Sequence, residues 1–105
     1  MEQQREFYRV TYPSTSRPRF VVDGAAYAVI DCSERGLRIL VTDDASFERD
    51  QFVNGVVRFR PRVECRVRGI VLRCEDGCAA LRLEHGIPFA MILREQQELG
   101  RRRLV

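Results

Sequence analysis

The chain predicts an all-β domain with a C-terminal helix, a six-stranded antiparallel β-barrel, and three features of the sequence carry that prediction. Apolar and polar residues alternate with a period of two through most of positions 19–84, as in strands with one buried face. Asp23-Gly24 and Glu75-Asp76-Gly77 break the alternation with turn signals, the first of them a strong two-residue hairpin signal. After Pro88 the period becomes helical, with Phe89, Ile92, Leu93 and Leu99 on a stripe interrupted only by Gln96.

Residues 1–16 read as an N-terminal switch arm that begins polar, carries Arg5-Glu6-Phe7-Tyr8-Arg9 and runs into the loop cluster Tyr12-Pro13-Ser14-Thr15-Ser16. Lacking sustained apolar periodicity, the arm is expected to be anchored only by Phe7, Tyr8 and Val10 and to move in the free protein. Residues 17–105 are expected to form the barrel and its helix. Arg19–Val22 and Ala25–Ser33 make the first hairpin. In its second strand Ala26, Ala28, Ile30 and Cys32 share one face, small enough for the inside of a tight barrel, while Tyr27, Val29, Asp31 and Ser33 share the other.

A third strand follows, with Leu37, Ile39 and Val41 alternating against Arg38, Leu40 and Thr42. Positions 42–54 are polar and read as a connection with Phe47 and Phe52 isolated in it. Alternation returns at 55–60 and stops at Pro61. From Val63 the residues Val63, Cys65, Val67 and Val71 oppose Arg66 and Arg68, but Ile70 and Leu72 make the second face apolar as well and call for a cover. Leu81 and Leu83 alternate with Arg82 and Glu84 in the last strand. The helix, about 87–100, is the expected cover; Gly100 is its natural stop, and Arg101–Arg103 sit where cations favour a helix C-terminus.

A length of 105 residues suits one domain with a single core. Hydrophobic residues at 45% and charged residues at 31% exclude a disordered chain. No apolar run reaches the length of a membrane span and Met1–Tyr8 has no signal-peptide character, so a cytoplasmic protein is expected. All 18 basic residues are arginine although the net charge is only +3. A GC-rich genome would give the same bias, but the outcome is a surface of planar forks suited to phosphate or guanine. Cys32, Cys65, Cys74 and Cys78 contain no CxxC pair and His85 is the single histidine, so no metal site is expected and the thiols read as small buried groups. Without a nucleophile elbow or a phosphate-cradling glycine loop, the chain is not expected to be an enzyme.

Two pieces carry chemistry. Arg5 and Arg9, four apart, share a side whether the arm is helical or extended and can act as one clamp. In Asp31-Cys32-Ser33-Glu34-Arg35-Gly36 a polar pair ends one strand and a glycine opens the next, as a tight turn requires. Taken singly, such residues are ordinary: arm arginines are usually solvated, and Asp or Ser at a strand end often bonds its own turn.

Together, in this order and separation, RxxxR and (D/N)xSxxG resemble the PilZ domain, a bacterial receptor module for cyclic di-GMP, over nearly the whole chain. The resemblance implies a six-stranded antiparallel barrel with a C-terminal helix, cyclic di-GMP as ligand with no cofactor, and ligand contacts at Arg5, Arg9, Asp31, Ser33 and Gly36. Gln4, where many relatives have a further arginine, and Arg35, at a variable motif position, are additional candidate contacts. Gln4 leaves open whether one ligand or a stacked pair is bound. Where relatives often show a glycine and an aromatic in the last strand, this chain has Ala79-Ala80-Leu81-Arg82-Leu83. Arginine forks match guanine O6 and N7 or a phosphate, and a carboxylate accepts from guanine N–H groups. Gly36 would allow a positive φ or close backbone approach. A single domain of this kind implies an unidentified downstream protein partner. The alternatives are a PilZ-like interaction module that binds no nucleotide and a small barrel that binds single-stranded nucleic acid; few exposed aromatics disfavour the latter.

Overall fold

The computed structural model describes residues 8–42 and 47–103. Its strands are β1 (Val10–Thr11), β2 (Arg19–Val22), β3 (Ala25–Cys32), β4 (Gly36–Leu40), β5 (Phe52–Arg60), β6 (Val63–Glu75) and β7 (Cys78–His85), followed by helix α1 (Phe89–Arg103). All pairings are antiparallel, in the order β1-β3-β2-β5-β6-β7-β4, and a further β3–β4 pairing closes six strands into a barrel. Closure leaves those six strands without an open edge. The short β1 shares an edge of β3 with β2: β2 pairs with Ala25–Ala28, and β1 with Asp31 and Cys32.

The two Asp-Gly turns form as their sequence demands. Asp23 and Gly24 have φ of 50° and 80°, Asp76 and Gly77 of 55° and 76°, so both central residues of each turn are left-handed, the geometry whose twist matches paired strands.

Phe20, Val29, Ile39, Val57, Val71 and Leu83 are fully buried and fill the barrel. Helix α1 covers one end of it through Ile92 and Leu99, and between them it buries a carboxylate, Glu95, at 4% exposure. That burial is tolerated because both oxygens are bonded. The Tyr12 hydroxyl donates to Oε1 at 2.8 Å, and Arg60 Nη1 donates to Oε2 at 2.7 Å. Glu95 therefore ties the helix to the arm on one side and to β5 on the other. Val10 is fully buried and Tyr12 3% exposed, so the arm is anchored at these two positions, whereas Tyr8 is half-exposed. Phe7 lies outside the described residues.

Several expectations are corrected. The inward face of β3 is the one bearing Tyr27 and Val29, and Ala26 is exposed. Large side chains, not small ones, fill the barrel at this strand. A bulge then intervenes: Val29 pairs with Ile39 but Asp31 with Arg38, leaving Ile30 as the extra residue. The parity resets, so Cys32 is also inward, at 1% exposure. In β5 pairing begins at Phe52, not Gly55, because β6 is long enough to give Phe52, Val53 and Asn54 the partners Ile70, Gly69 and Arg68. Leu72 is not covered by α1; another bulge, between Val71 and Arg73, turns it outward, and it is 43% exposed. The helix passes through Gly100 to Arg103, since an exposed glycine with open space around it weakens a helix without ending it.

Burial pushes the Cys32 thiol up to about 12, and burial also lifts the Tyr12 phenol far above its ordinary range. Both hold protons that the unfolded chain would release. Their stabilising effect is therefore complete below the ordinary thiol value of 9.0 and is lost as pH rises toward 12. Thermal unfolding followed by circular dichroism should show the midpoint falling across that interval, with a shallower decline in Cys32→Ala. Removing the carboxylate in Glu95→Ala leaves Arg60 without its partner and the Tyr12 hydroxyl with only a long contact to Cys32 Sγ at 3.9 Å, and should cost about 2–3 kcal/mol in urea unfolding.

Candidate ligand site

The β3 bulge decides what the site contains. Because Asp31 pairs with Arg38 while Cys32 pairs with the buried Leu37, Asp31 stands on the outer surface of the barrel beside an arginine. Arg38 Nη2 lies 2.7 Å from Asp31 Oδ2, and Arg9 Nη1 lies 3.5 Å from Oδ1. Between them the two guanidiniums leave the Asp31 side chain only 4% exposed, whereas Arg9 and Arg38 are themselves 60% and 44% exposed. One carboxylate is thus held in place by two cations that themselves remain open to solvent.

Ser33 to Gly36 form a tight turn held from three directions. The Ser33 N–H donates to the Gly36 carbonyl at 2.9 Å, closing the turn. The Leu83 N–H donates to the Arg35 carbonyl at 2.9 Å and the Ile87 N–H to the Glu34 carbonyl at 3.0 Å, fixing the loop to β7 and to the segment before α1. Arg35 adds a bond from Nη1 to the Glu84 carbonyl at 3.3 Å. Gly36 lies outside the left-handed region, so the first of the two roles open to it, a positive φ, is not used. Its value is space: a Cβ there would lie 3.2 Å from Ser33 Oγ. Gly86 is more tightly constrained, because a Cβ on it would meet the Glu34 carbonyl oxygen at 1.8 Å. This glycine, which no motif marks, sets how closely the turn can approach.

A cavity of about 920 Å³ opens over these residues, near the upper end of the roughly 300–1,000 Å³ common for small-molecule sites. Arg9, Asp31, Ser33, Arg35 and Gly36 all line it, so five of the seven candidate residues are brought together; Gln4 and Arg5 lie outside the described residues. Sequence reasoning missed Arg38, Arg73 and Arg82, which also line it, along with Leu72, Ala80 and the half-exposed Tyr8. Five arginines against one carboxylate give this lining a larger positive excess than the +3 of the whole chain. Arginine bias alone would not concentrate the charge this way. Among the described residues no group of three His, Cys, Asp or Glu could hold a metal ion.

The PilZ domain model matches residues 3–103. The chain belongs to the PilZ domain family. Solved structures of similar fold include the Bacillus subtilis inhibitor of motility (MotI/DgrA), with 14% identity, a TM-score of 0.67, and coverage of 98% of this chain and 52% of that one. An uncharacterized Legionella protein matches with 11% identity and a TM-score of 0.63 over 94% of this chain and 100% of its own. The Borreliella burgdorferi PlzA protein, solved in complex with c-di-GMP, matches with 14% identity and a TM-score of 0.53 over 88% of this chain and 40% of its own. At these identities the likeness establishes the fold, and this PilZ domain spans about half of the Bacillus protein and less of PlzA. Comparison with curated proteins gives no match.

The clamped turn makes a specific demand on Gly86. Gly86→Ala should push the Glu34 carbonyl away, costing about 1–3 kcal/mol in urea unfolding, the usual range for overpacking. Amide chemical shifts of residues 33–36 should move with it, while those of the distant β2–β3 turn stay unchanged.

Proposed function

We propose that this PilZ domain is a cyclic di-GMP receptor that closes its N-terminal arginine arm over the ligand and signals through a protein partner. The observation that carries this reading is the convergence of Arg9, Asp31, Ser33 and Gly36 on one strongly cationic cavity. Each supplies what a guanine nucleotide needs. The Asp31 carboxylate accepts from guanine N1–H and the exocyclic amine, the arginine forks donate to O6 and N7 or to phosphate oxygens, and Ser33 hydrogen-bonds without blocking a flat ring. Gly36 keeps the turn low enough for the ring to approach.

The long 3.5 Å Arg9–Asp31 contact and the exposure of Arg9 leave this guanidinium available to be re-aimed. Arg5 lies four residues before it in the sequence and would join it in the clamp. Each charge-assisted contact contributes about 1.5–3 kcal/mol, offset by the ordering of the arm. Arm closure would reach the rest of the domain through Val10 and Tyr12, the latter bonded to Glu95 on α1. Such closure would make or hide a surface for the partner. Among the described residues no helix is long and apolar enough to cross a membrane.

Isothermal titration with cyclic di-GMP, using GTP, cyclic di-AMP and a short single-stranded oligonucleotide as comparisons, tests this. Selective binding of cyclic di-GMP is expected, weakened about 10- to 100-fold in Arg9→Ala. Hydrogen exchange of the arm should slow on ligand addition. Absence of heat with cyclic di-GMP would overturn the receptor reading, and equal arm protection with and without ligand would overturn closure.

A further inference from the structure

The strand register places the cavity residues in a transverse row. Asp31 on β3 pairs with Arg38 on β4, Arg38 with Ala80 on β7, and Ala80 with Arg73 on β6. Neighbouring strands lie about 4.8 Å apart, so Asp31 and Arg73, three strands apart, are separated by about 14 Å measured around the curved barrel surface. A guanine held by Asp31 does not extend that far. Two residues along β7, on the same face as Ala80, Arg82 pairs with Gly36 on one side and Ile70 on the other. Ala80 and Gly36 keep the floor low between the guanidiniums, and the β6 bulge sets the exposed Leu72 beside Arg73 as an apolar plate.

Charge compensation is uneven along the row. Arg38 is paired with Asp31 at 2.7 Å. Among the described residues Arg73 has only Glu75 at 4.0 Å, with both side chains about two-thirds exposed, a contact too solvated to neutralise it. Arg82 has no carboxylate within 4.0 Å among the described residues. Like charges gathered in one concavity repel each other and focus a positive potential there, which a bound anion relieves.

We infer that Arg73 and Arg82, on β6 and β7, form a second phosphate subsite on the side of the cavity across from the Arg9–Asp31–Arg38 cluster. This rests on the reading of the cavity as a cyclic di-GMP site and adds that the ligand's phosphate is held on the β6–β7 side, apart from the base contact at Asp31. The base is read on the Asp31 side; the β6–β7 side reads anionic charge.

The test is titration of cyclic di-GMP into the wild-type chain, Arg9→Ala, the double variant Arg73→Ala/Arg82→Ala, and a control double variant of equal charge, Arg19→Ala/Arg66→Ala, whose exposed arginines do not line the cavity. Each is run at two salt concentrations. Both residues of the first pair are exposed, so its thermal midpoint should match the wild type. The Arg73/Arg82 variant should bind about tenfold more weakly or worse, with a shallower salt dependence, and the control should stay within about twofold. A smaller loss, or one matched by the control, overturns the subsite; if Arg9→Ala still weakens binding, the receptor reading survives without it. No binding by the wild type overturns both.

Discussion

The bulge at Ile30 is the constraint on which the rest of this molecule depends. In a regular strand Val29 and Asp31 would share a face, and the barrel would have to bury a carboxylate or expose a valine. One extra residue separates their fates: Val29 and Cys32 both face the core, and Asp31 emerges beside Arg38. The same device recurs in β6, where the bulge before Arg73 turns Leu72 outward. Both edges of the cavity are thus defined by local departures from strand regularity, set in a barrel whose closure holds them fixed.

Much of the architecture was legible because it is written locally. The Asp-Gly turns specify left-handed φ at both central positions, and the change of period after Pro88 announces a helix. Asp31, Ser33 and Gly36 were readable for the same reason, lying within six residues. Arg38, Arg73 and Arg82 were not, because their membership depends on register across four strands, and a bulge shifts register by one residue and exchanges the faces. Period-two alternation carries no trace of where a bulge falls until the partner strand is known. Gly86 was invisible for a related reason: its lack of a side chain matters only because the Glu34 carbonyl, fifty-two residues earlier, backs onto it. Helix α1 ran past Gly100 because propensity sets a modest cost and nothing there enforces a stop.

The buried polar group is as informative as the apolar core. Glu95 lies on the helical face that also carries Ile92 and Leu99, where a leucine would have continued the stripe. A carboxylate at that place binds the helix to two specific partners, Tyr12 and Arg60, and so fixes how far it can slide or rotate. The arm thereby has a polar connection to the helix as well as a backbone one to β3.

The transverse row has a consequence for when the site exists at all. Its members come from strands far apart in sequence, and none of them finds its neighbours until the barrel has closed. A chain with β6 and β7 detached keeps its (D/N)xSxxG turn sequence but has neither the far arginines nor the N–H of Leu83 that fixes the turn. Any recognition by this cavity would therefore be a property of the completed molecule, and a ligand of it would stabilise the whole fold over its partly opened forms. A cell using such a domain as a sensor would register only those copies that have finished folding.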